Sequence, residues 1–342
     1  MAIRRIATEE AFALDTQLAA LKRARLDHPD DSDAAFWSMV LDGGYEDIVG
    51  GLLDLGEERV RVMDAYGIDM HVLLLTSPGV QLLDADAAAS LATLANDRLA
   101  EAIARYPMRF AGLASFAPQD PMRAAKEMER AAGALKLNGF VVNSHTNGEY
   151  LDEPRYWPIL EAAAALGKPL YIHPRTLPPG ATAPYLSRRL TGGIWGYAAE
   201  TGLHAMRLIM AGVFDRLPDL RIILGHMGEG LPYWLYRIDY MFELQQRQVR
   251  SPLEHRPSDY FKRNFAITTS GMNDADVLDF CLKKVGADNI MWAVDYPYQD
   301  SAGAVAFLED AAIDSAAKAK IWGGNAERIF GIAPRPPERK NS

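Results

Sequence analysis

Eight apolar, β-rich runs, each followed by a stretch of helical periodicity, recur along this 342-residue chain, and that alternation constrains its fold most. The runs lie at Arg4–Thr8, Met70–Thr76, Arg109–Phe116, Gly139–Asn143, Pro169–His173, Arg221–Gly225, Phe265–Ser270 and Asn289–Val294. Helical patterns fill Leu52–Tyr66, Ala85–Tyr106, Pro121–Leu135, Glu153–Leu166, Ala199–Arg216, Glu229–Gln248, Asp274–Val285 and Ser301–Asp310. Asp120-Pro121 reads as an N-cap followed by proline in the first turn, and Gly167 as a helix stop. Eight such units predict a (β/α)8 barrel; an open α/β sheet is the alternative.

Three segments break the alternation: Phe12–Gly51 after the first run, the Pro/Gly-rich Thr176–Ala198, and the polar Gln248–Lys262. Loops after barrel strands usually shape a pocket. Residues 1–332 read as one domain with an insertion at 12–51, and Ala333–Ser342 reads as a disordered tail.

Asp and Glu total 45 against 36 Lys and Arg, a net charge of −9, and the chain has no basic block. That argues against nucleic-acid binding. The one cysteine, Cys281, cannot form an intrachain disulfide and fits a reducing cytoplasm. No signal peptide or membrane-length apolar run is evident.

Four polar residues fall where apolar runs stop: Glu9, His173, His226 and Asp295. Each has an ordinary reading. Glu9 or its neighbour Glu10 could cap the next element, and His173 could be a core histidine held extended by Pro174. His226, in GHMGE, could be oriented by Glu229, itself expected in the first turn of the next helix. Asp295 ends a buried run, where a carboxylate is costly without a cation or donors. Together they follow runs one, five, six and eight, whose ends meet on one face of a barrel. Two carboxylates with one or two imidazoles suit Mn²⁺, Zn²⁺ or Fe²⁺, and the oxygen-rich set leans toward Mn²⁺. Tyr298 could reach the same pocket. Arg237 reads as a surface residue about two turns beyond Glu229. The aromatic run from Pro232 to Met241 reads as core or subunit interface.

The segments RIATEEAFA, TSPGVQ, NSHTNGEYLDE, YIHP, GHMGEGLPYWLYRIDYM and AVDYPYQ resemble the amidohydrolase-related aromatic acid decarboxylases, above all the 5-carboxyvanillate branch. 2,3-Dihydroxybenzoate and γ-resorcylate decarboxylases are more distant relatives. The resemblance runs from about Arg4 to Phe330. It implies an amidohydrolase-type barrel with one divalent metal, Mn²⁺ with Zn²⁺ as the alternative, held by Glu9, His173 and Asp295. It further implies His226 and Glu229 beside the metal, Tyr298 by the substrate, and a dimer or tetramer in which Arg237 enters the neighbouring subunit's site. The implied reaction is non-oxidative loss of CO2 from an ortho-hydroxybenzoate, 5-carboxyvanillate to vanillate first, in aromatic (lignin) catabolism. Many relatives carry a histidine where this chain has Ala11. The 5-carboxyvanillate branch shares that difference but has an arginine where this chain has Gly44, so Arg175 is a possible substitute. Phe36, Trp37, Met39 and Tyr197 are candidate pocket walls, with Tyr197 in contact with substrate. Metal-dependent lactone or amide hydrolysis is the alternative of another class, and a non-catalytic metal-binding barrel is a third.

Overall fold

The computed structural model describes residues 3–27, 32–249 and 253–334. Eight parallel strands follow one another in chain order: β1 Ile6–Phe12, β2 Met70–Leu75, β3 Phe110–Ser115, β4 Gly139–Asn143, β5 Leu170–His173, β6 Ile222–Leu224, β7 Phe265–Thr268 and β8 Ile290–Met291. The barrel closes where β8 returns to β1. There the Thr8 N–H donates to the Trp292 carbonyl at 3.1 Å and the Ala11 N–H to the Tyr296 carbonyl at 2.7 Å. Helices lie between the strands, and the alternation read from sequence is realised.

Parity along the strands sorts the side chains. Ile6, Val72, Leu113, Val141, Tyr171, Ile223, Ala266 and Met291 fill the barrel, with Phe330 and Ile332 packed on the same cluster. The alternate residues, such as Leu73, Phe140, Ile172, Leu224 and Ile267, pack outward into the large core shared with the helices. Every strand is buried on both faces, as a parallel barrel requires.

Several boundaries differ from the sequence expectation. The helix expected over Leu52–Tyr66 is two, Glu46–Leu53 and Glu57–Ala65, parted where the Asp54 carboxylate accepts the Gly56 N–H at 2.8 Å. Phe12–Gly51 carries the helices Asp15–Asp27 and Ser32–Asp42 as well. The polar Gln248–Lys262 contains a helix, Pro257–Asn264, whose Pro257, Tyr260 and Phe261 are buried. Of the expected disordered tail, residues 335–342 lie outside the described residues.

Candidate metal centre and pocket

The polar residues continue the inward tracks of the strands. In β5, Tyr171 points into the barrel, so His173 two residues on does too. In β6 the inward position after Ile223 is Gly225. A Cβ there would lie 2.8 Å from Glu9 Oε1 and 2.9 Å from Oε2, so the Glu9 carboxylate rests over a residue that has no side chain.

Glu9 and Glu10 part ways at a bulge. Ala7 pairs with His71 and Glu10 with Leu73, so β1 holds one extra residue against β2. Glu9 turns into the barrel. Its Oε2 accepts hydrogen bonds from the Tyr171 hydroxyl and from Thr268 Oγ1, the latter at 2.7 Å. Glu10 turns to the barrel seam, where it accepts the N–H groups of Val294 at 2.9 Å and Tyr296 at 3.0 Å.

β8 ends early, and Asp295 stands beyond it in the left-handed region at φ 75°. The helical turn expected to start at Glu229 is also different. His226, Met227, Gly228, Glu229 and Gly230 all have positive φ, between 49° and 79°, and the right-handed helix begins only at Leu231. A non-glycine residue in this region costs about 1–3 kcal/mol. His226, Met227, Glu229 and Asp295 therefore sit in strained backbone at the mouth of the barrel. The turn sets the His226 imidazole between Glu229 and Asp295, with Nδ1 2.9 Å from Glu229 Oε1 and Nε2 4.0 Å from Asp295 Oδ2.

Glu9, His173 and Asp295 each present a ligand atom within 4.8 Å of the others. These residues fit a divalent ion. Glu9 Oε1 is buried with no hydrogen-bond partner and faces His173 Nε2 at 3.7 Å. The His173 Nδ1 lies 2.9 Å from the Pro174 carbonyl, which assigns the proton to Nδ1 and leaves the Nε2 lone pair directed inward. Two carboxylates and one imidazole form a hard, mixed donor set.

The charges divide the roles. Burial opposes ionisation of Glu9, but its neighbours, His226 foremost, outweigh it and hold its carboxyl below the usual range. Burial likewise opposes a charge on His226, yet Glu229 and Glu9 raise the imidazole well above its ordinary value. Burial pushes the Asp295 carboxyl up, with Glu9 adding to the rise. Of the two carboxyls of the cluster, Glu9 is thus lowered and Asp295 raised. Burial also raises Glu10, to about 7, against the two backbone N–H groups it accepts.

The cluster opens into a cavity of about 520 Å³, lined among others by Phe36, Thr76, Trp195, Tyr197, Met272, Tyr298 and Gln299. The Tyr298 hydroxyl lies 2.6 Å from Thr76 Oγ1. That volume and a mostly apolar wall with a few polar groups suit one aromatic ring. Trp37 does not line the cavity; it is buried behind it and donates to the Ser77 carbonyl at 3.0 Å. The Met39 side chain lies outside the described residues.

Two candidate substrate contacts are placed elsewhere. Arg175 is buried, pairs with Asp33 and donates to the His145 carbonyl at 3.0 Å, so its charge is spent joining the helix Ser32–Asp42 to the loop after β5. Gly44 occupies an open turn at φ 80° with no atom within 4 Å of a Cβ built there. Arg237 is exposed on the helix Leu231–Gln246 and does not line its own chain's cavity. The aromatic residues beside it are not core. Tyr233 and Tyr236 are 71% and 78% exposed, with Trp234, Tyr240 and Met241 also exposed.

A parallel (β/α)8 barrel with a carboxylate–imidazole cluster at the carboxyl ends of its strands defines a class of metal-dependent enzymes. The family model for amidohydrolases matches residues 30–332, and the chain belongs to the amidohydrolase family. The γ-resorcylate decarboxylase of Polaromonas sp. is 37% identical over 334 residues, covering 95% of this chain and 98% of its own. The crystal structure of 5-carboxyvanillate decarboxylase from Sphingomonas paucimobilis superimposes with a TM-score of 0.93 at 45% identity, covering 97% of this chain and 100% of that one. The 5-carboxyvanillate decarboxylase of Novosphingobium aromaticivorans, solved with manganese and 4-hydroxy-3-methoxy-5-nitrobenzoic acid, gives 0.93 at 44% identity over 96% of each chain.

Proposed function

We propose that this protein is a Mn²⁺-dependent decarboxylase of ortho-hydroxybenzoates whose preferred substrate is 5-carboxyvanillate, converted to vanillate and CO2. The observation that carries the reading is the Glu9–His173–Asp295 cluster, with His226 and Glu229 beside it, at the floor of a cavity the size of one substituted ring. The 5-carboxyvanillate enzymes support the finer substrate through 44–45% identity along almost the whole chain. A γ-resorcylate-type substrate is the second reading, favoured by the Polaromonas relative.

Glu9, His173 and Asp295 would hold the metal, which supplies positive charge to fix the substrate's carboxylate and phenolate oxygens. Asp295, which the substrate's oxygens would displace as a ligand and which takes up a proton when freed, delivers that proton to the ring carbon that bears the carboxylate. The ring then holds a tetrahedral carbon next to a ketone-like carbonyl. The bond to the carboxylate breaks, its electron pair restores the aromatic ring, and CO2 departs. One proton enters the product for each CO2 released, and Asp295 regains its proton from solvent. His226, held cationic by Glu229, hydrogen-bonds the phenolate oxygen. Tyr298, with Thr76 behind it, and Tyr197 set the ring's position.

The exposed aromatic surface around Arg237 is the contact with a second copy of the chain, and Arg237 reaches the partner's cavity to bind the anionic far end of the substrate. An apolar surface of this kind on one helix suits an interface between subunits. The test is CO2 release by Mn²⁺-loaded protein from 5-carboxyvanillate, γ-resorcylate and 2,3-dihydroxybenzoate. Turnover of the first at the highest kcat/KM supports the finer reading, and turnover only of another moves the substrate. CO2 from none defeats the function.

A further inference from the structure

Glu10 is a fully buried carboxylate beside the metal cluster that neither the ligand set nor the reaction uses. Its two oxygens are committed. Oε1 accepts the Val294 N–H at 2.9 Å and lies 3.4 Å from the Glu9 nitrogen, and Oε2 accepts the Tyr296 N–H at 3.0 Å. The two amides flank Asp295, whose φ of 75° an aspartate rarely adopts. A helical or extended neighbour would satisfy these N–H groups with backbone carbonyls. Here β8 has already ended, so a side chain from the opposite side of the seam replaces them. Arg59 braces the same assembly. It is buried, donates to the Ala11 and Gly51 carbonyls at 2.8 and 2.6 Å, and lies 4.9 Å above the Tyr296 ring.

We propose that Glu10 is a positioning residue that clasps the backbone on both sides of Asp295 and so holds the Asp295 carboxyl in its metal-binding, proton-delivering orientation. The inference rests on the role given to Asp295 above. Hydrogen bonds to two backbone N–H groups fix a peptide geometry that the local sequence disfavours. Glutamine at position 10 keeps the shape but turns an NH2 toward one of the two N–H groups, so one bond is lost.

The experiment compares wild type, Glu10→Gln, Asp295→Asn and the double variant, each loaded with Mn²⁺. It reads kcat and KM on whichever of the three acids turns over, and the EPR spectrum of bound Mn²⁺ without substrate. Glu10→Gln is expected to lower kcat at least roughly tenfold, leave KM within about threefold and change the Mn²⁺ spectrum. The double variant is expected to be no worse than Asp295→Asn, because residues acting as one unit are not additive. A Glu10→Gln enzyme within about twofold of wild type with an unchanged spectrum, beside a disabled Asp295→Asn, overturns the inference alone. An active Asp295→Asn overturns the inference and the role of Asp295 together. Should Glu10→Gln not fold, hydrogen exchange on the wild type decides: protection of the Val294 and Tyr296 amides is expected, and exchange at the rate of unprotected amides overturns the clasp.

Discussion

The Glu9 carboxylate lies directly over Gly225, so close that a Cβ at that position would sit 2.8 Å from Glu9 Oε1. Gly225 is the inward position of β6, and its missing side chain leaves room for the Glu9 carboxylate. Gly225→Ala is therefore expected to push Glu9 out of the cluster and weaken Mn²⁺ affinity roughly 10–100-fold, while the outward-facing core on Leu224 stays intact. Calorimetric titration with Mn²⁺ checks it, and unchanged affinity would mean that Glu9 is not a ligand.

Glu229 makes one strong contact, to His226 Nδ1 at 2.9 Å. Glu229→Gln keeps that hydrogen bond but removes the charge that holds the imidazole protonated. The expected result is a fall in kcat of roughly 10–100-fold and an acid-shifted fall of activity with rising pH, with metal content unchanged. Steady-state kinetics across pH measure both.

Much of this site was legible in the sequence, for a physical reason. In a parallel strand the residue that ends an inward track is fixed by parity, so His173 could be picked out where its run stops, and Asp295, beyond the end of β8, by the cost of a carboxylate closing a buried run. What was not legible depends on backbone that departs from parity. Parity alone does not separate Glu9, the residue singled out, from Glu10, because a bulge in β1 decides which enters the barrel. Glu229 reads as the first turn of a helix, yet it lies in a left-handed turn that no residue of HMGE except Gly228 favours. Arg175 has the charge and the place for a substrate contact. Its partner Asp33 lies 142 residues away, and only tertiary structure reveals that the charge is already used.

Stability should depend on pH through a buried network that the reaction does not use. The Leu151 N–H donates to His204 Nε2 at 3.2 Å and the Gly148 N–H to His145 Nδ1 at 3.3 Å, so both rings are neutral acceptors. Burial lowers these histidines to about 3 and about 2. Their contribution is complete above the ordinary histidine pKa of about 6.5 and is lost as pH falls below it, where only the unfolded chain takes up protons. Burial raises the Glu200 carboxyl to about 8 from its ordinary 4.5. Between those values the folded chain binds the extra proton, so stability falls as pH rises. Glu200→Gln is expected to match wild type near pH 5 and to exceed its Tm by at least about 3 °C near pH 8. Thermal melts of both proteins across pH provide the check; a constant difference would contradict it.

If Arg237 serves the partner's cavity, two different inactive subunits should repair each other. Arg237→Ala and Asp295→Asn homo-oligomers are each expected to lose roughly 10²–10⁴ in activity. Mixed by refolding or co-expression, hybrids contain a site with an intact Asp295 and an intact neighbouring Arg237. Recovery of roughly a quarter of wild-type activity is expected from random pairing into dimers. No recovery in hybrids isolated by affinity tags would place Arg237 outside the partner's site.

The most direct measurement of the central claim is turnover of 5-carboxyvanillate by Mn²⁺-loaded protein in D2O, with CO2 and aromatic product quantified together. Protonation of the ring carbon as the carboxylate leaves predicts one CO2 per vanillate and one deuterium at the vacated carbon, lost in parallel in Asp295→Asn. Metal-bound protein that releases no CO2 from any of the three hydroxybenzoates would contradict the account.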